Sequence, residues 1–90
     1  MYLEIISPEK VLFKGEVSSV SVPGANGDFQ MLDHHAAILS TLVGGTVKFE
    51  TSSSENEISD DISANGNTYT LDIKGGVIEM SNNKVTLLPS

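Results

Sequence analysis

Short runs in which apolar and polar residues alternate fill the first quarter of the chain and predict β-strands. Residues 2–7 alternate in this way and end at Ser7-Pro8, because proline cannot donate a hydrogen bond to a strand ladder. The next apolar run is followed by Lys14-Gly15, which predicts a break. Residues 16–22 form another strand, and their valines slip once out of strict alternation, so we expect a β-bulge near Ser18-Ser19.

The clearest strand pattern lies in the last quarter of the chain. Residues 68–73 alternate strictly, and Gly75-Gly76 then predicts a sharp corner. Residues 77–80 and 84–88 form two further strands joined through Asn82-Asn83, a pair that suits a tight primed turn because asparagine tolerates a positive φ. Short strands at this spacing predict an all-β sandwich or barrel, and no helix is predicted.

One stretch, residues 22–42, differs from the plain strands around it, and we expect a functional site there. It contains both histidines of the chain, His34 and His35, and two consecutive turn signals, Pro23-Gly24 and Asn26-Gly27. Turn residues, an apolar run and a polar cluster in this order describe a loop-rich edge of a β-domain. Such an edge commonly carries binding residues.

The centre of the chain continues this pattern with less certain elements. Phe29 and Met31 are expected on one face of a short strand. The apolar residues within 38–43 fit either a helical turn or a two-sided strand, and periodicity alone leaves both interpretations open. Gly44-Gly45 predicts a break before the next strand, residues 46–51.

Residues 51–66 are different in kind, because serine and acidic side chains dominate and few large apolar residues occur. This composition predicts a solvated hairpin loop or a weak pair of edge strands. A calcium-binding loop is the alternative, but the segment lacks the ordered ligand spacing of an EF-hand loop.

Length and composition predict one globular domain, residues 1–90, with a single modest core. The net charge is −7, and the chain contains no arginine and no cysteine. Nucleic-acid binding is not expected, since neutralising phosphates requires a cationic face. The missing cysteine excludes disulfides and thiolate chemistry. No signal peptide or spanning segment is recognisable, so we expect a soluble protein of the cytoplasm or an equivalent reducing compartment; attachment to a membrane complex through another subunit stays open.

No catalytic constellation can be assembled from these residues. Serines are numerous, but none lies in a nucleophile-elbow sequence, and neither a phosphate loop nor a dinucleotide fingerprint occurs. Asp28, Asp33, His34 and His35 are the one conceivable metal set, although adjacent histidines of a strand point to opposite sides. Biotin and lipoyl carrier domains display a lysine at the tip of a hairpin, but here the tip is Asn82-Asn83 and Lys84 begins the next strand. We therefore predict no catalytic residue, cofactor or metal.

Several motifs in one order resemble the amino-terminal β-domain of the epsilon subunit of F-type ATP synthases. They are L-E-I-I-S-P-E, V-L-F-K-G-E-V, V-P-G-A-N-G-D-F, D-H-H-A-A-I-L-S-T-L and I-K-G-G-V-I-E-M-S-N-N-K-V-T-L-L. They follow one another in the family's order along nearly the whole chain. The resemblance implies a ten-stranded sandwich of two five-stranded sheets, and it implies a strand rather than a helix at residues 38–43.

The resemblance also implies a function. Proteins of this family are non-catalytic rotor subunits of the central stalk, which dock on the gamma subunit and the c-ring and couple proton-driven rotation to ATP synthesis. The implied location is the cytoplasmic face of a bacterial inner membrane, peripheral to it. Matched residue by residue, Gly27, Asp28 and Phe29 correspond to the c-ring interface, while Ser7 and His35 correspond to the gamma interface.

The sequence departs from the family in three ways. The family's P-G-H-A-P segment has His34 in place of glycine, and both of its prolines are lost. Residues 51–66 are longer than the usual short hairpin. The family's carboxyl-terminal helical hairpin has no counterpart before Ser90, so we expect a chain of this length to lack the inhibitory and nucleotide-sensing behaviour of those helices.

Two other functions remain open from the sequence alone. A free-standing β-sandwich that binds a small ligand or glycan would need a concave site lined by aromatic side chains, but the chain has only three phenylalanines, two tyrosines and no tryptophan. A hydrolase or metalloenzyme would need one of the constellations that are missing.

Overall fold

The computed structural model describes residues 1–90 and is entirely β, without a helix of any length. It therefore contains no helix long and apolar enough to cross a membrane. The nine strands are β1 (Tyr2–Ile6), β2 (Val11–Glu16), β3 (Ser19–Gly24), β4 (Gly27–Leu32), β5 (Ile38–Glu50), β6 (Asn56–Ile58), β7 (Ser63–Asn65), β8 (Thr68–Ser81) and β9 (Lys84–Pro89). The all-β prediction is confirmed, and residues 38–43 are strand, as the family resemblance implied.

All nine strands belong to one hydrogen-bonded sheet, in the order β4-β3-β5-β8-β9-β1-β2-β6, with β7 added beside β8. Every neighbouring pair is antiparallel except β1 and β9. The expected ten strands in two five-stranded sheets differ from this arrangement. Two long strands, β5 and β8, run through Gly44-Gly45, where the sequence predicted a break, and Gly75-Gly76, where it predicted a corner.

The two long strands pair with each other along almost their whole length, from Ile38–Met80 at one end to Glu50–Thr68 at the other. We call this pair of strands the ribbon. The buried face of the ribbon changes halfway along its length. In β5 the inward residue is Leu42 before the glycine pair and Val47 after it, an odd step that moves burial to the other side of the strand. Strand β8 changes its buried face at the paired position. The ribbon therefore contributes core residues from different faces in its two halves.

Gly76 lies where β8 makes this change, and its lack of a side chain is required there. Its φ is +149°, and a Cβ at this position would come within 2.5 Å of the carbonyl oxygen of Leu88 on the neighbouring strand β9. Only glycine combines that backbone conformation with so close an approach.

The core joins strands that are far apart along the sheet. The rings of Phe13, from β2, and Phe49, from β5, lie 4.5 Å apart between centroids, and Tyr69 stacks on Phe49 at 5.5 Å. Such contacts require the sheet to fold back on itself, so that its two ends cover one apolar interior. The side chains that are fully buried in it are Phe13, Phe49, Leu3, Ile5, Met31, Ile78, Met80, Leu87, Val20, Val22, Val47 and Val85.

The acidic segment, residues 51–66, forms two short edge strands, but not a hairpin. Strand β6 pairs with β2, and β7 pairs with β8, so the two do not contact each other as a ladder. The turn between them is tied to the sheet by an ion pair of 2.8 Å between Lys10 Nζ and Asp61 Oδ2. Residues 51–66 thus contribute one short strand to each of two separate edges of the sheet.

Two further local predictions were wrong. Strand β2 continues through Lys14-Gly15, where the glycine leaves space for Asn56 of β6: a Cβ on Gly15 would lie 2.7 Å from the Asn56 Cβ. The bulge expected near Ser18-Ser19 is instead an interruption between β2 and β3. Within it, Val17 donates its backbone N–H to the carbonyl oxygen of Met1. The primed turn at Asn82-Asn83 is confirmed, with φ values of 51° and 59°.

Candidate functional site

A polar network at one end of the sheet holds the segment that carries the histidines. The ammonium group of Met1 lies 2.6 Å from Asp33 Oδ1 and 3.2 Å from Glu16 Oε2. Asn83, in the β8–β9 turn, donates to Asp33 Oδ1 at 3.1 Å and accepts the backbone N–H of His34 at 2.7 Å. We call this the amino-terminal end of the molecule.

These contacts shift the ionisation of both charged partners. The hydrogen bond to Asp33 raises the pKa of the Met1 amino group above its usual value, although partial burial opposes the effect. The same bond, followed by the one from Asn83, lowers the pKa of the Asp33 carboxyl. His34 has a φ of +62°, a conformation that few non-glycine residues adopt, and the network supplies the contacts that hold it.

His35 follows directly and lies exposed on the surface. Its backbone N–H donates to the carbonyl of Leu32, which closes the turn after β4, and its ring Nδ1 lies 2.8 Å from the carbonyl oxygen of Ala36. One ring nitrogen is therefore satisfied locally, and the rest of the ring faces solvent. A partner could contact it without any rearrangement of the loop.

Ser7 lies at the other end of β1, in the tight β1–β2 turn. Its Oγ donates to the carbonyl of Lys10 at 3.1 Å and accepts the Lys10 N–H at 3.2 Å, so the hydroxyl stabilises the turn. The structure does not bring Ser7 and His35 together, because the length of β1, roughly 17 Å by strand rise, separates the two ends.

The hairpin between β3 and β4 carries the other predicted residues and lies at the same end as Ser7. Gly24 pairs with Gly27 across the turn and also with Leu42, which in turn pairs with Gly76. We call this the turn end. Asp28 is exposed there, and its carboxylate has neither a hydrogen bond nor an ion pair within the chain.

Phe29, beside Asp28, has a structural role. It is half-buried against the core, and its ring covers the backbone of Gly24, where an added Cβ would lie 2.7 Å from the ring carbon Cε1. Gly27 adopts a φ of +117°, which closes the turn. Of the three residues predicted for the c-ring interface, Asp28 alone presents an unengaged functional group.

The conceivable metal set is not assembled. Asp28 lies at the turn end, while Asp33 and both histidines lie at the amino-terminal end, and no group of three potential ligands converges anywhere in the molecule. An open groove of about 540 Å³ lies beside the β1–β2 turn, with Leu12, Leu71 and Ile73 among its lining and no aromatic residue. It lacks the aromatic lining expected of a ligand-binding module.

An exposed apolar face is the feature that the sequence did not reveal. Val77 of β8 pairs with Leu88 of β9, and on the other side it pairs with Thr41, between Leu39 and Val43 of β5. Side chains at paired and alternate positions share a face. Leu39 is 74% exposed, Leu88 49%, Val43 46% and Val77 42%. We call these four residues the apolar face. The sequence indicated it only by placing apolar residues on both faces of the strand at residues 38–43.

Comparisons with known proteins all identify one family. Residues 1–89 match the family model described as ATP synthase, Delta/Epsilon chain, beta-sandwich domain. The ATP synthase epsilon chain of Chlorobaculum tepidum is 38% identical over 86 residues, which are 96% of this chain and 84% of that protein. The epsilon chain of Nitratidesulfovibrio vulgaris (strain DP4) is 34% identical over 88 residues, or 98% of this chain and 56% of the relative.

A solved structure has the same fold. A chain in the cryo-EM structure of the central stalk and c-ring of Tetrahymena thermophila mitochondrial ATP synthase superposes with a TM-score of 0.76. The match covers 99% of this chain and 62% of that chain, at 16% sequence identity. At this identity the likeness concerns the fold alone.

Proposed function

This chain belongs to the family of the ATP synthase delta and epsilon chains, and we propose that it works as a non-catalytic rotor subunit of the central stalk. In this proposal it docks on the gamma subunit and on the c-ring, and it couples proton-driven rotation to ATP synthesis. The observation that carries the proposal is a surface with two distinct contact regions, the apolar face and the unpaired carboxylate of Asp28, on one small rigid body.

The proposal treats the sheet as two layers, divided where β5 and β8 change their buried face. One layer then contains β3, β4, β7 and the adjoining halves of the two long strands, which makes five segments. The other contains β1, β2, β6, β9 and the remaining halves, which makes six segments. A body of two layers that share two strands resists bending, which suits a part that transmits torque.

We assign the apolar face to the gamma subunit. Monomers rarely leave contiguous apolar surface uncovered, and an interface of ordinary size removes about 800 Å² from each partner. Ser7 and His35, the two residues matched to the gamma interface, lie at opposite ends of β1. A partner that contacts both must therefore extend roughly 17 Å along β1, in the same part of the sheet as the apolar face.

We assign the turn end to the c-ring. Asp28 offers a free negative charge at the tip of a hairpin whose shape is fixed by Gly27 and Phe29. A basic group on the ring would pair with it without disturbing any contact inside this chain. The ring is embedded in the membrane, so the protein would lie peripherally at the cytoplasmic face in a bacterium, attached through the complex.

The gamma contact is tested by capture of co-expressed gamma with Leu88→Ser. We expect roughly three- to tenfold weaker capture, because burying the exposed half of this leucine contributes about half of the roughly 1.5–3 kcal/mol that a whole leucine side chain contributes. Ile58→Ser is the matched control, since Ile58 is similarly exposed on β6 but lies outside the apolar face. Equal capture by both variants and the wild type, or no capture by the wild type, would remove the assignment.

The c-ring contact is tested with Asp28→Lys in reconstituted rotor complexes. Ring binding should weaken markedly, while thermal stability should change little because the carboxylate has no partner in the chain. Asp60→Lys makes the same change of charge in the acidic segment and should leave ring binding intact. If Asp28→Lys lowers stability and ring binding together, Asp28 is a folding residue.

A further inference from the structure

The first half of β5 forms an open edge of the sheet. Residues 38–41 pair with β8 on one side only, because β3 reaches β5 in this region at Leu42 and no earlier. Just beyond the end of β3, Ala25 donates its N–H to the carbonyl of Thr41 at 3.0 Å. The backbone groups of Thr41 therefore point away from β8.

Leu39 is the unpaired position on this edge. The N–H and C=O of successive strand residues point to alternate sides, so Leu39, two residues before Thr41, also directs both groups away from β8. No strand lies on that side of Leu39, and no turn or loop bond involves it. The same residue has the most exposed large apolar side chain of the protein.

This edge also lacks the protection that open edges usually carry. Natural sheets place charged residues or proline at free edges to prevent pairing with other chains. The outer strands β4 and β6 follow this rule with Asp28 and Glu57, whereas residues 38–41 read Ile-Leu-Ser-Thr. An uncharged free edge beside an exposed apolar face is a template for another strand.

We propose that the open edge at Leu39 accepts an extended segment of the gamma subunit as an additional strand of the sheet. The inference deepens the proposed function and rests on it, because the same partner covers the adjoining apolar face. Backbone hydrogen bonds to Leu39 fix the register of the added strand. Its side chains at alternate positions then extend the apolar face beyond Leu39.

The charge beside the edge specifies one further feature of the segment. Glu79 pairs across the ladder with Leu39, faces outward on the same side, and has no ion pair within the chain. A lysine or arginine on the added strand would lay its apolar stem across Leu39 and reach the carboxylate, roughly two strand spacings or 9.6 Å away. The occupant is thus an extended, alternately apolar segment with one basic residue.

Amide hydrogen exchange in the gamma complex tests the pairing directly. We expect the Leu39 amide to exchange at least tenfold more slowly in the complex than in the free protein, because a hydrogen bond to the added strand protects it. The Ser40 amide points to β8 and provides the internal reference. An unchanged exchange rate at Leu39 in a formed complex would overturn the proposal.

Two substitutions at one position separate backbone pairing from side-chain contact. Leu39→Ala keeps the outward N–H and removes the side chain, whereas Leu39→Pro removes both and spares the bonds to β8, since proline is accepted on a free edge. We expect capture of gamma to be about fivefold weaker for proline than for alanine, which corresponds to one lost hydrogen bond. Equal capture by the two variants would refute strand addition.

The outcomes also distinguish this inference from the proposed function. If wild-type protein fails to bind gamma, the proposed function itself fails. If gamma binds through Leu88 and Leu39→Pro binds as well as Leu39→Ala, only the added strand is wrong. A wild-type protein that forms dimers abolished by Leu39→Pro would identify a second copy as the occupant and would also overturn the proposal.

Discussion

Replacing Gly76 by alanine probes the point where the ribbon of β5 and β8 changes its buried face. The added Cβ would lie 2.5 Å from the Leu88 carbonyl oxygen and 2.9 Å from the Pro89 Cα, both of them backbone atoms of β9. The φ of +149° adds a backbone cost, because side chains disfavour that region. Strain of this kind costs about 1–3 kcal/mol, and displacing β9 adds to it. We expect a total loss of about 3 kcal/mol.

Urea unfolding followed by circular dichroism measures this loss. For a domain of this size each kcal/mol corresponds to roughly 4–8 °C in Tm, so Gly76→Ala should melt roughly 12–24 °C below the wild type. Gly66→Ala is the matched control. Its φ is +65°, but nothing lies within 4 Å of the added Cβ, so only the backbone cost of about 1 kcal/mol remains.

The two variants differ in the contact that the added Cβ makes with β9. If Gly76→Ala and Gly66→Ala unfold at the same urea concentration, the approach of β9 to Gly76 does not limit what this position tolerates. The ribbon would then not require glycine at the point where it changes its buried face.

Two further predictions concern the amino-terminal end. Asp33→Asn should be less stable than the wild type near neutral pH. This difference in the free energy of unfolding should shrink in acid, because the wild-type carboxyl is protonated below its lowered pKa. It should also shrink in base, because the Met1 amine deprotonates above its raised pKa. Urea titrations from acid to alkaline pH check this; a difference that does not vary with pH would contradict it. Asn83→Ala should lose about 2 kcal/mol, since it removes both bonds to residues 33–34 and places alanine at a φ of 59°. Asn83→Gly, which accepts that φ, should recover part of the loss in thermal melts, and an equal loss would assign the effect to the side chain alone.

Local sequence signals predicted those elements whose cause is local. The turn at Asn82-Asn83 follows from the tolerance of asparagine for positive φ, and the strand of Phe29 and Met31 follows from strict alternation. Gly44-Gly45 was misinterpreted because a glycine pair has the same appearance whether a strand ends or changes its buried face. The pairing of β5 with β8 decides between the two, and that pairing is tertiary.

The geometry of the candidate site could not be predicted from the sequence. The sequence identified Asp28 and His35, yet nothing local indicates that they lie at opposite ends of the sheet. The apolar face was missed because Leu39 and Val43 look like core residues, and their exposure depends on which half of the ribbon they occupy. Assignment of Ser7, Gly27, Asp28, Phe29 and His35 to partners stays a prediction for the experiments above.

The shared ribbon has a mechanical consequence. In most sandwiches the two sheets meet only through side chains, and a shearing load can make one slide over the other. Here the backbone hydrogen bonds between β5 and β8 run without interruption of register from one side of the core to the other. A force applied at one face is therefore passed on by the main chain itself, and slippage would require the ladder to break cooperatively.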